Sequence, residues 1–172
     1  MTRNLGPTLP LSEEIHKTKY RSEGESFREA MNRVAYALKD DDEHFHNLRN
    51  ILLEQRFMPA GRVQAAMGST RYVTAHNCYV MGVIKDSFCD SNGIMDRAKE
   101  AAQTMRMGGG VGYDFSTLRP RGELIKTLQS RSSGPVSFMG IFNEICLCTS
   151  SAGHRRGAQM GILRVDHPDI EE

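Results

Sequence analysis

Tryptophan is absent from this chain of 172 residues, aromatic residues make up only 7% of it, and cysteine occurs just four times. The cysteines stand at 78, 89, 146 and 148, and no two of them form the CxxC spacing from which zinc frameworks are built. His44, His46, His76 and His167 lack the helical spacing of a two-histidine metal site, so no metal is expected. No apolar run approaches the ~18 residues of a membrane span, which excludes a helical membrane protein. Lysine and arginine are not concentrated anywhere and the net charge is +1, which argues against a surface dedicated to nucleic acid. The opening MTRNLGPTLPLSEEIHK has no basic start followed by an apolar block, so no secretory signal is visible and the expected location is cytoplasmic. In a reducing compartment a structural disulfide is not expected, and each cysteine is then either packed or chemical.

What the chain does contain is periodicity. Residues 1 to 24 read as polar and irregular, punctuated by Pro7, Pro10 and Gly24. Ser26 is placed to cap a helix in which Phe27, Ala30, Met31, Val34, Ala35 and Leu38 recur at helical spacing, with Glu29 near the position a capping box requires. The acidic run 40–43 ends that helix and starts another, whose apolar face is Phe45, Leu48, Ile51 and Leu52. Beyond Gly68 the texture changes. CYVMGVI (78–84) suits a strand covered on both faces, Ile94 to Met105 a helix, GVGYDF (110–115) a strand, 117–133 a long loop, and Phe138 to Ile145 a helix begun by Gly134-Pro135. A loop, GHRRG, then leads into the strand AQMGILRV, and DHPDIEE opens a final helix with Pro168 in its first turn. Alternating strands and helices predict a parallel sheet of α/β class. Three such strands leave open edges and a bare face, so the chain is expected to be part of a larger domain.

The glycine run Gly108-Gly109-Gly110 with Gly112 lies after a helix and before a strand. Phosphate-binding glycine loops have the opposite order, so neither a Rossmann nor a Walker reading holds. A helix C-cap followed by a crowded strand start is the plain alternative. Cys78, after Asn77 at the start of a strand, is either buried packing or a thiol at the rim of a barrel site. Cys146 and Cys148 are two apart on a helix and read as packing. Asp86-Ser87 follows a strand, where a carboxylate can accept sugar hydroxyls or simply close a turn. Arg119, Arg121, Arg131 and the pair Arg155-Arg156 flank loops and suit phosphate or solvent alike.

Five blocks carry more than this: RFMPAGR, HNCYVMGVIKDS, EAAQTMRMGGGVGYDFSTLRPRG, SSGPVSFMGIF and SAGHRRGAQMGILRVDHPDIEE. In order and spacing they resemble the N-terminal part of the class II, adenosylcobalamin-dependent ribonucleotide reductases, from about residue 56 to the end, with a helical lead-in from residue 11. The resemblance implies N-terminal helices (1–56) followed by the opening strands of a ten-stranded α/β barrel (57–172), the barrel being incomplete. It implies that Cys78 is a redox cysteine whose partner thiol lies in a part of the enzyme absent here, and that Met58, Asn77, Gly109 and Gly110 neighbour the ribonucleotide substrate. Asp86, Ser87 and Arg119 fall where a deoxynucleoside triphosphate effector binds. The segment 122–134 matches a specificity loop, and the helices near 93–107 and 135–149 match those of a homodimer interface. The radical cysteine and most contacts to adenosylcobalamin would come after residue 172. Further partners implied are the C-terminal remainder of the reductase and a thioredoxin-type reductant. A standalone deoxynucleotide-binding or dimerisation module is the alternative.

Overall fold

The computed structural model describes residues 6–149 and 157–172. The chain folds as two compact units, Met1–His76 and Asn77–Glu172; the boundary expected at 56/57 falls inside the first. Among the described residues no helix is long and apolar enough to cross a membrane.

The first unit is helical: α1 (Pro10–Tyr20), α2 (Phe27–Leu38), α3 (Asp42–Leu53) and the short α4 (Gly61–Ala66). Ser26 and Glu29 form a complete capping box at α2, and the Asp41 carboxylate accepts the His44 N–H at the start of α3, so each helix start has orphan donor groups satisfied by a side chain. Phe27, Ala30, Met31, Val34 and Ala35 from α2 meet Leu52 and Leu53 from α3 in a closed core. Helix α1 lies in a stretch that reads as irregular because its single buried residue is polar, His16, so no apolar stripe announces it.

His16 is held by its neighbours in one tautomer. Its Nδ1 accepts from Arg21 Nε at 2.9 Å, so Nε2 carries the proton and meets Gln64 Oε1 of α4 at 2.8 Å. Gln64 Nε2 in turn donates to the Pro59 carbonyl at 2.7 Å. Arg33 gathers the same corner, donating to Glu25 Oε1 at 2.8 Å, to the Gln64 carbonyl at 3.1 Å and to the Met67 carbonyl. These bonds, rather than apolar burial, fasten α1 and α4 to α2.

The second unit is a three-stranded parallel sheet in the order β1 (Cys78–Val83), β2 (Gly110–Asp114), β5 (Gln159–Ile162). Helix α5 (Ile94–Arg106) connects β1 to β2, and α6 (Pro135–Cys148) lies between β2 and β5. Both helices pack on one face: Ile94, Ala98, Ala101 and Met105 from α5 and Phe142 from α6 close over Val111, Tyr113 and Phe115. Strands in sequential order with every crossover helix on the same side give the singly wound arrangement of a barrel wall, not the doubly wound one of an open sheet. Among the described residues the sheet does not close, and the fold is that of an incomplete α/β barrel.

Three expectations need correction. The strand 78–83 is covered on one face only, since Val80 is 90% exposed. The loop 117–133 contains a small antiparallel hairpin, β3 (Leu124–Ile125) with β4 (Ser130–Arg131). The last residues form turns, with Ile170 N–H bonded to the His167 carbonyl and Glu172 N–H to that of Asp169, instead of a helix. The loop residues Arg155 and Arg156 lie outside the described residues.

Two outcomes follow for the N-terminal unit. Met31 is fully buried, so Met31→Ala should cost about 2–5 kcal/mol in urea unfolding. Burial holds His16 below its ordinary 6.5, with the Arg21 charge adding to the depression against the opposing Gln64 hydrogen bond. The unfolded chain then takes up a proton that the folded chain resists, so stability is full above the unfolded value and falls as pH drops through it toward the folded one. Urea midpoints measured at pH 8 and pH 5.5 should show that loss, and His16→Gln should remove most of the difference.

Candidate functional site

The parallel register pairs Cys78 with Gly110, Val80 with Gly112, and Gly112 with Met160. Because side chains alternate along a strand, this puts Cys78, Val80, Gly110, Gly112, Asp114, Met160 and Ile162 on the face opposite the helices. Cys78 is exposed, as are Val80, Met160 and Ile162. A Cβ built on Gly110 would lie 3.5 Å from Cys78 Sγ and 3.4 Å from the Ala158 carbonyl oxygen, in ordinary contact. The thiol therefore stands directly over a backbone that carries no side chain. Asn77 is exposed, and its carbonyl accepts the Gly110 N–H at 2.7 Å, which pins the start of the register.

The glycines divide into different tasks. Gly108 has φ +87°, its N–H bonds to the Met105 carbonyl at 2.8 Å, and the Gly109 N–H bonds to that of Thr104 at 2.9 Å. Those two bonds are a Schellman motif ending α5, with Gly108 in the left-handed conformation it requires. A Cβ on Gly109 would come within 2.9 Å of both Thr104 Cγ2 and the Tyr79 ring. Tyr79 neighbours Cys78 on β1 and points the other way, so the space kept clear at Gly109 is filled from the helix side by this chain's own residues. Gly110 and Gly112 are the two that keep the cysteine's face bare. Asp114 closes the row, its carboxyl held below the ordinary carboxylate range by hydrogen bonding from Ser116.

At the C-terminal ends of the strands the structure brings Asp86 and Arg119 together: Arg119 Nε donates to Asp86 Oδ2 at 2.7 Å, with the side chains 28% and 32% exposed. Among the described hydrogen bonds the two terminal guanidinium nitrogens of Arg119 are unused. Ser87 is engaged elsewhere, its hydroxyl accepting the Asp90 N–H at 3.3 Å and its carbonyl the first N–H of α5 at 2.9 Å. Arg131 is spent on the Gly122 carbonyl and Arg121 on Glu172. Met58 is exposed and belongs to the first unit. Among the described residues no group of three His, Cys, Asp or Glu could hold a metal ion.

The remaining cysteines differ from one another. Cys89 is exposed, Cys146 is half-buried, and Cys148 is exposed at the end of α6 instead of packed. Burial first, and then Cys146, pushes the Tyr113 phenol well above its ordinary value. Sequence reasoning missed Ser132 and His167, both buried polar residues beside Arg119. A serine in a loop and a lone histidine give no sign of burial in the sequence.

The fold and site together are a one-sided parallel α/β wall of barrel type with an exposed thiol at the start of its first strand. The family model described as "Ribonucleotide reductase, barrel domain" matches residues 76–172. The chain belongs to that family. It is similar to the vitamin B12-dependent ribonucleoside-diphosphate reductase of Thermoplasma acidophilum, with 30% identity over 98% of this chain and 22% of the relative. To the protein of the same name from Mycobacterium tuberculosis it is 42% identical, over 54% of this chain and 13% of that protein. Among solved structures, the class Id ribonucleotide reductase alpha subunit of Actinobacillus ureae superposes with a TM-score of 0.80 at 22% identity, covering 95% of this chain and 29% of that one. The chain thus spans about a fifth or less of the curated relatives named.

The two neighbouring glycines should separate on mutation. Gly109→Ala, meeting the Tyr79 ring and Thr104, should destabilise the C-terminal unit by about 1–3 kcal/mol. Gly110→Ala should fold normally yet slow alkylation of Cys78 by iodoacetamide several-fold, read by peptide-resolved mass spectrometry, because its methyl sits against the sulfur.

Proposed function

We propose that this chain supplies the opening of the catalytic barrel of a ribonucleotide reductase, with Cys78 as one of the two thiols that reduce the substrate. The observation that carries the reading is the exposed Cys78 sulfur set over the bare backbone of Gly110 on the uncovered sheet face. Replacing a ribose 2′-hydroxyl by hydrogen takes two electrons and two protons. Cys78 and a second thiol from the remainder of the enzyme give these up as they join in a disulfide, and the hydroxyl leaves as water. A thioredoxin-type reductant then reopens the disulfide. Gly110 and Gly112 let the nucleotide lie close to the strand; Asn77 is proposed as its neighbour. The substrates are proposed to be ribonucleoside diphosphates, in keeping with the names of the two relatives. The complete enzyme is proposed to use adenosylcobalamin, which when bound supplies the radical that begins the reaction. None of the described residues is assigned to hold it. The protein is proposed to be cytoplasmic, and the chain alone to be inactive.

Asp86 and Arg119 are proposed to meet a deoxynucleoside triphosphate effector. A guanidinium held through Nε on a carboxylate still offers its two Nη groups to phosphate oxygens in the fork geometry that suits them. Helices α5 and α6, packed side by side on the outer face, are proposed to form the homodimer interface. The Asp86–Arg119 pair is complete within the unit 77–172, which also favours a second reading, a nucleotide-binding or dimerisation module without catalysis.

Mixing this chain with the missing remainder, adenosylcobalamin and a dithiol reductant should restore ribonucleotide reduction over many turnovers, and Cys78→Ser should abolish it. Full turnover by the Cys78→Ser enzyme would refute the redox role. Calorimetry of the chain alone with dTTP separates the readings: binding without catalytic complementation supports the module.

A further inference from the structure

The backbone that carries Arg119 is gripped from two sides by residues to which no role has yet been given. The Leu118 carbonyl meets His167 Nε2 at 2.9 Å, and the Arg121 N–H donates to Asp169 Oδ2 at 2.8 Å. From the other side the Gly122 N–H donates to the Ser132 carbonyl at 2.9 Å, while the Ser132 hydroxyl makes a long 3.5 Å contact to the Arg119 carbonyl. His167 and Ser132 are 7% and 6% exposed.

The imidazole has no choice of tautomer. The Asp169 N–H approaches its Nδ1 at 3.1 Å and can only donate, so Nδ1 accepts and the proton is on Nε2. The Leu118 carbonyl can only accept, so the ring is a bridge with both ends fixed. That carbonyl belongs to the peptide plane whose nitrogen is Arg119's own. Holding its oxygen fixes that peptide plane and the N–Cα axis of Arg119, and so the point from which the side chain reaches Asp86. Three strand ends are joined in this way: Asp86 after β1, Arg119 after β2, and His167 after β5.

We propose that His167 is a positioning residue for Arg119, keeping Nε on Asp86 and the Nη edge presented to anionic ligand, so that the turn after β5 governs the affinity of that site. The affinity part rests on the reading of Asp86 and Arg119 as a nucleotide phosphate site; the positioning part does not.

The test compares three variants of the 172-residue chain by nitrogen-15 NMR of the Arg119 Nε–H and by calorimetry with dTTP. His167→Gln retains an N–H able to reach the Leu118 carbonyl, whereas His167→Asn is too short and His167→Met cannot donate. The Gln variant should keep the wild-type Nε–H resonance and dTTP affinity. The other two should shift or broaden the resonance and weaken binding by about three- to tenfold, the worth of one hydrogen bond. A purely structural role would lower thermal stability and leave the Arg119 signal of the folded protein unmoved, and that result overturns the proposal. So does loss of the fold in both non-donating variants while His167→Gln stays folded. If wild type binds no dTTP but the resonance still moves in His167→Asn and His167→Met, the effector reading fails and the positioning role stands.

Discussion

The pairing of Cys78 with Gly110 in a parallel register is the constraint on which the bare face of the C-terminal unit depends. Shift β1 by one residue and every side chain on it changes face: Cys78 would turn into the helix layer and the Tyr79 ring would occupy the bare side. The register is held at its start by the Gly110 N–H on the Asn77 carbonyl at 2.7 Å. It is held along its length by the burial of Val111, Tyr113 and Phe115 under α5 and α6. The same packing that stabilises the sheet therefore sets where the sulfur stands.

The two faces of that sheet have opposite economies of side chain. On the helix side space is scarce: Tyr79 fills the room left by Gly109, and Phe142 stacks edge-on to Tyr113 at 4.6 Å and to Phe115 at 5.2 Å. On the cysteine side the chain places two glycines opposite a thiol and a valine, and nothing comes nearer than 3.9 Å to a Cβ at Gly112. A core built for stability alone would fill that surface. Leaving it bare fits a face on which something other than side chain is to lie. The charged residues collect instead at the strand ends, where Arg119 bonds Asp86 and Asp169 bonds the backbone of Arg121.

Legibility in the sequence followed the kind of force involved. Helices α2, α3, α5 and α6 and the three parallel strands were readable because apolar burial writes a period into the chain. Helix α1 leaves no such period, because what it buries is His16, held by Arg21 and Gln64 through contacts up to 48 residues apart; only the resemblance implied a helical lead-in from residue 11. The hairpin 124–131 was hidden by its two-residue strands, and the final turns by a proline that suits a turn as well as a helix start. Among site residues, Cys78 and Gly110 lie together, and Asp86 and Arg119 meet directly. Gly109 serves packing toward Tyr79, a distinction that three identical letters in a row do not carry. Ser132 and His167 matter through burial and tautomer, which appear only once distant segments are brought together.

The state of the Cys78 sulfur after one turnover decides whether it is a reducing thiol. The chain, complemented with the remainder of the reductase and with adenosylcobalamin but without external reductant, is given ribonucleoside diphosphate and quenched under acid, and its disulfides are mapped. Cys78 should be found joined to a thiol of the complementing part, one disulfide for each deoxyribonucleotide formed. Product formed while Cys78 remains a free thiol would contradict that role.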